Sequence, residues 1–267
     1  MFPYLTPWIL GFAICVFLVN MLMVIPYGKF SRSELPLQID SRIAWVLQHG
    51  LVLIGLIFGW VDLDGWYFNT PQTNKGWAAL TFLWIHFLWR GILSQIIFTK
   101  HGKKQTTLIL PLLGLLYFIP IGMNFRKMCY EIDEDYEAVD TIPLGLAFVC
   151  LILNIVIEML YDSWRKSYEN CYQFNLPTRI YYGNYLRHDF LEERFAIYRY
   201  GIHTPNYTFE VLEWLFFTLF VFRFEAFWWF IGTLLLLWAR GAWTSHWLGE
   251  IENTWNKNNS NDKKYSF

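Results

Sequence analysis

"WAALTFLWIHFLWRGILSQIIF", residues 77 to 98, decides the fold. The run is about as long as a bilayer's hydrocarbon core needs, since about 20 predominantly apolar residues span it as a helix. Yet it holds His86, Arg90, Ser94 and Gln95. Polar and ionisable groups are costly in hydrocarbon, so each marks either a helix–helix tie or a functional site.

The rest of the chain shares this character. Of its 267 residues 55% are apolar and 21% aromatic, with only 16% charged, which is too greasy for an ordinary soluble domain. Apolar runs recur at Leu5 to Ile25, Ile43 to Trp60, Trp77 to Phe98, Leu108 to Met123, Ile142 to Tyr161, Phe209 to Phe222 and Ala226 to Trp243. Backbone groups in lipid must be hydrogen-bonded within their own segment, and runs of this length satisfy that as helices. The expectation is an all-α, polytopic membrane protein with about seven transmembrane helices over residues 1–248 and a polar tail over 249–267. Between the last two runs only Arg223, Phe224 and Glu225 intervene, which predicts a tight helical hairpin. The rival count is six, with those two runs fused.

Charge sets the expected orientation. The loops 26–42 and 99–107, the long segment 162–208 and the tail carry fifteen Lys and Arg, against four (Lys75, Arg126, Lys127 and Arg223) on the other side. The basic side is expected to face the cytosol or matrix. The segment "MCYEIDEDYEAVD", residues 128–140, puts six acids on the opposite side and reads most simply as a solvated face. A formal charge of −1 argues against nucleic acid as a partner. The four cysteines, Cys15, Cys129, Cys150 and Cys171, show neither disulfide nor metal spacing, and no metal is expected.

The ionisable groups within spans are few and regularly spaced. His86 and Arg90 are four apart, as are Asn154 and Glu158, so each pair shares a helical face; Glu210 and Glu213 are three apart. They can pair with one another to tie helices together, or line a polar pocket open to the basic side, where arginines and Lys103 suit a phosphorylated cofactor. There is no G-x-G-x-x-G after a strand, no Walker loop and no H-E-x-x-H.

In order along the chain, "YGKF" (27–30) with "SRIAWVLQ" (41–48), "IHFLWRGILSQ" (85–95), "NIVIEMLYDSWRK" (154–166), "NYTFEVLEW" (206–214) and "ARGAWTSHWL" (239–248) resemble the steroid 5α-reductase family. Its members are seven-helix membrane proteins that use NADPH to reduce a carbon–carbon double bond conjugated to a carbonyl. The resemblance covers nearly the whole chain. It implies that Lys103, Asn154, Glu158, Arg165, Asn206, Glu210 and Arg240 fall where NADPH is held, and that His49 and Glu210 would be the catalytic positions if the protein is active.

The departures weigh more than the matches. The family polarises the substrate carbonyl with a glutamate and a tyrosine, which stabilise the charge that develops on oxygen; here those positions are His49 and Phe87. Phe209 replaces a glycine beside Glu210, and Thr244 and Leu248 replace a histidine and a tyrosine of the last helix. The resulting expectation is a family-fold protein that has lost catalysis and serves as a structural or accessory subunit of a larger membrane complex. Its partners would be membrane lipid and other membrane-protein subunits, with a respiratory-chain assembly of the mitochondrial inner membrane as a host. The alternative is an active NADPH-dependent reductase of a lipid enone, of the steroid, polyprenol or enoyl-thioester type, for which the endoplasmic reticulum is the family's home. A third reading is a protein that holds a lipid or cofactor without turning it over.

Overall fold

A computed structural model of the chain describes residues 11, 14–15, 38–58, 70–97, 105–107, 109–167 and 205–237. Most of the first apolar run, most of the segment 162–208 and the polar tail lie outside the described residues.

The described chain is all-α apart from one short ladder. Strand β1 (Gln38–Asp40) leads into α1 (Ser41–Phe58). Then come α2 (Asn74–Leu88), a π-helical turn (Trp89–Leu93) and α3 (Ser94–Ile97), which together form one rod. Strand β2 (Gln105–Thr107) precedes α4 (Ile109–Tyr130). Helices α5 (Thr141–Ser167) and α6 (Pro205–Val221) follow, then α7 (Phe224–Leu237). The rod Asn74–Ile97 and the helical stretch Ala138–Met159 are long and apolar enough to cross a membrane; Arg42–Ile57 and Phe224–Leu237 are apolar but shorter.

Local chemistry sets the ends. Asp40 caps α1, its carboxylate accepting from the Arg42 backbone N–H at 2.8 Å, as an N-cap side chain does for the orphan donors of a first turn. Thr73 does the same for α2 through the Gly76 N–H at 3.1 Å. Helix α6 ends at Phe222, whose φ of 49° is a left-handed turn that a non-glycine residue adopts at a cost of about 1–2 kcal/mol. The break is a genuine reversal. Trp214 and Trp229 have ring centroids 5.6 Å apart, whereas fifteen residues along a straight helix would separate them by about 22 Å.

Two packing units carry the bundle. In the first, α1 and α4 run parallel from the β1–β2 ladder, which pairs Gln38 with Thr107 and Asp40 with Gln105. Gly55 lies fourteen residues beyond the start of α1 and Gly122 thirteen beyond that of α4, so they meet at one height. A Cβ on Gly55 would stand 2.8 Å from the Gly122 Cα, and one on Gly122 would stand 2.1 Å from the Val52 carbonyl oxygen. Glycine is required at both sites because backbone lies against backbone, as at small-residue crossings in membrane bundles.

In the second unit α2, α5, α6 and α7, joined by the end of α4, surround an aromatic core centred on the buried Trp214. Phe125 stacks on it with centroids 5.9 Å apart, and Phe217 and Trp229 meet it edge to face. Such pairs add about 0.5–1.5 kcal/mol each beyond the area they bury.

Charged contacts group the connections by end. Lys75 reaches Glu134 at 3.1 Å and Asp140 at 3.2 Å, and Arg223 reaches Asp133 at 3.1 Å and the Glu131 carbonyl. Residue 75, the acidic segment and the α6–α7 reversal therefore share one end, while the β1–β2 ladder ties the stretch before α1 to the stretch between α3 and α4.

Two outcomes are expected. Gly122→Leu forces bulk between touching backbones and should destabilise the folded protein by about 1–3 kcal/mol or more, read as a lower melting temperature in detergent. The second concerns pH: the Arg42 guanidinium, hydrogen-bonded to Asp40, holds that carboxyl below the usual carboxylate range. A depressed carboxylate stabilises the fold above its unfolded pKa and loses that contribution as pH falls through the folded one. Thermal unfolding of Asp40→Asn should therefore depend less on acidic pH than that of the parent.

Candidate functional site

The polar groups inside the bundle are brought together by one geometric fact: α2 and α6 pack antiparallel. Phe82 stacks on Phe217 with centroids 4.8 Å apart, His86 Nδ1 lies 2.5 Å from Glu213 Oε1, and Arg90 Nη2 donates to Glu210 Oε2 at 2.9 Å. As the number rises along α2 it falls along α6, by three or four residues per rung. That spacing keeps all three rungs on one face of each helix.

Helix α5 closes the third side. Arg90 Nη1 donates to Glu158 Oε1, so one guanidinium joins carboxylates from two helices. Arg90 is 8% exposed, Glu210 8%, His86 2% and Glu213 fully buried. A buried charge is tolerable only when paired and hydrogen-bonded, and Arg's planar fork suits two carboxylates at once.

The π-helical turn aims this arginine. The Ser94 N–H bonds back to the Trp89 carbonyl, five residues earlier, which widens the helix where Arg90 leaves it. Such single-turn bulges shift side chains out of α-helical register. The Arg90 carbonyl is capped by Trp45 Nε1 at 2.8 Å and Ser94 Oγ at 2.9 Å, and the guanidinium lies over the Trp45 ring, 5.3 Å from its centre. Gly91, next along, admits α1: a Cβ there would stand 2.5 Å from the His49 Cβ.

The residues singled out by the sequence divide into three groups. Glu158 and Glu210 converge, on Arg90. Asn154 (3% exposed) and the half-buried Asn206 stand on the same faces, one turn from Glu158 and Glu210, each with Oδ1 buried and without a hydrogen-bond partner. His49 is separate, its ring stacked on Trp45 at 4.4 Å, near Phe118, with Nδ1 3.3 Å from the Trp45 carbonyl. Lys103 and Arg240 lie outside the described residues, as does the Arg165 side chain on the last turns of α5, and as do Thr244 and Leu248.

Phe87, at the position where the resemblance expects a tyrosine, is buried among Trp214, Trp229 and Phe125, with centroids 6.0 to 6.3 Å away. It offers no hydrogen-bond donor. Phe209 is half-buried beside Glu210. Among the described residues no group of three or more His, Cys, Asp or Glu could hold a metal ion.

Sequence reasoning left two participants unassigned. Trp45 reads as ordinary span aromatic, and only the α1–α2 contact reveals that its indole caps the bulge. Arg90 stands out as an ionisable residue within a span, but nothing local says that it takes both carboxylates. The complementary spacing of His86 and Arg90 against Glu210 and Glu213 is the signal that foreshadows the pairing.

No protein-family model and no curated protein matches the chain.

The cluster predicts its own energetics. Arg90→Met leaves two buried carboxylates facing each other and should cost about 3–5 kcal/mol of stability, as breaking a buried pair from one side does. Adding Glu158→Gln and Glu210→Gln to Arg90→Met should recover part of that loss, and chemical denaturation of the variants, combined as a cycle, checks it.

Proposed function

We propose that this chain is a polytopic membrane protein of about seven transmembrane helices, related in form to the steroid 5α-reductases, that has lost catalysis and serves as a structural or accessory subunit of a larger membrane complex. One observation carries the reading: the carboxylates that the resemblance assigns to a cofactor are taken by the protein's own arginine. Glu158 and Glu210 each give one oxygen to Arg90, so their charge is already balanced within the protein and only the other oxygen of each is left to accept from ribose or amide groups.

The substrate side supports the same conclusion. Reducing an enone needs donors aimed at the carbonyl oxygen. His49 is stacked on Trp45 with one ring nitrogen toward a backbone carbonyl, and Phe87 is walled in by aromatic rings. The engagement of Glu158 and Glu210 by Arg90 supports a protein that works without NADPH. The alternation of ends supports a serpentine path, since Lys75, the acidic segment and Arg223 meet at one end and the loops carrying β1 and β2 pair with each other. An apolar outer face on α5, with Ile142, Val149, Ile152 and Val156 exposed, suits lipid or a neighbouring subunit. A respiratory-chain assembly of the mitochondrial inner membrane is the proposed host.

A second reading, an active NADPH-dependent reductase of a lipid enone in the endoplasmic reticulum, is favoured by one feature: the unpartnered Oδ1 atoms of Asn154 and Asn206, which a polar ligand would satisfy.

Purification of the tagged chain from its native membrane in mild detergent tests the proposal. A fixed set of other membrane proteins should accompany it in constant ratio through a second sizing step. Recovery as a monodisperse lone chain would contradict the subunit role.

A further inference from the structure

The pair His86–Glu213 has no part in either functional reading, yet it is the most deeply buried polar contact among the described residues. His86 Nδ1 and Glu213 Oε1 are 2.5 Å apart, at 2% and 0% exposure, while Glu213 Oε2 has no hydrogen-bond partner. An unsatisfied buried carboxylate oxygen is costly, and it is not isolated. Arg90 Nε and the Oδ1 atoms of Asn154 and Asn206 are likewise buried and without partners.

These atoms form a track. Asn206, Glu210 and Glu213 stand at i, i+4 and i+7 on one face of α6. On α5, Cys150, Asn154 and Glu158 follow at i, i+4 and i+8, with Cys150 in electrostatic reach of Glu213 and Glu158 bound to Arg90. The track leads from the buried Glu213 past Arg90 to Asn206, which is half-exposed near the start of α6. Internal water is held where two to four polar partners converge, and these orphan atoms supply such partners along the α2–α5–α6 seam.

Charge counting defines what the pair does. The titratable and charged groups facing Glu213 are His86 and Arg90 from the α2 rod, Cys150 from α5, and Glu210 on its own helix, with Glu158 reached through Arg90; from α7 the neighbour is Trp229, packed on Trp214. One guanidinium already serves two carboxylates. A third bare carboxylate beside a neutral imidazole would add an uncompensated charge to the buried seam. One proton shared between Nδ1 and Oε1 removes it.

We infer that His86 and Glu213 form a buried proton-binding site, served by internal water that enters from the Asn206 end of the bundle. The ligand is a single proton, taken up from water at Glu213 and returned along the same track. No bond other than N–H and O–H forms or breaks, and no redox partner is needed. The site works whether or not a reductase activity survives.

The test is infrared difference spectroscopy on the full chain in lipid vesicles over a series of pH steps within the range in which the protein stays folded, in H2O and in D2O. A carboxyl band should change with pH and shift in D2O in the folded protein. It should be lost in Glu213→Gln and kept in the surface variant Asp133→Asn. Asn154→Leu removes a polar partner at similar volume and should slow the deuterium shift severalfold while leaving the band in place. If Glu213→Gln does not fold, a displaced band in His86→Gln makes the assignment. A wild-type protein with no titrating carboxyl band, or one whose band exchanges only on unfolding, overturns the proposal and leaves a static hydrogen bond.

Discussion

One guanidinium shared by two carboxylates is the constraint on which the α2–α5–α6 half of the bundle depends. Arg90 cannot remain buried without Glu158 and Glu210, and those carboxylates, at helix positions facing the same seam, cannot remain buried without it. This fixes the rotation of three helices at once. It also sets the antiparallel register in which Phe82 meets Phe217 and His86 meets Glu213. A hydrophobic seam alone tolerates slippage and rotation far better than one in which every misplaced rung strands a charge.

The π-helical turn and the Trp45 indole are consequences of the same demand. To bring Arg90 to carboxylates on two partners, α2 departs from α-helical geometry for five residues, and the carbonyl at the bulge is satisfied from α1. That contact links the ionic half of the molecule to the α1–α4 unit, whose own geometry rests on Gly55 and Gly122 lying backbone to backbone. The two units are thus specified differently, one by charge pairing and one by the absence of side chains.

Much of the helical layout was legible from runs of apolar residues, because a segment that buries its backbone among apolar groups has few alternatives to a helix. Six of the seven runs overlap described helices, and the short break after Phe222 marks a reversal, as the three intervening residues suggest. The helices outrun the apolar stretches at Tyr130 and Ser167, since polar residues continue a helix once they reach the bundle's ends. The pairing of in-span acids and bases was also legible as one of two outcomes, from the i, i+4 and i, i+3 spacings. Which partners meet was not. That Arg90 takes Glu158 and Glu210, leaving His86 for Glu213, depends on helix rotation and on a bulge that no local motif announces. Gly55 and Gly122 stand far apart in the chain, and their contact is a product of the parallel α1–α4 packing alone.

The central claim is that this protein's own arginine occupies the carboxylates a dinucleotide would need. Titrating the detergent-purified full chain with NADPH, following cofactor fluorescence together with the melting temperature, tests it most directly. The account predicts a folded protein whose melting temperature and fluorescence do not respond to NADPH. Saturable binding that raises the melting temperature, and that disappears in Arg240→Ala, would contradict it.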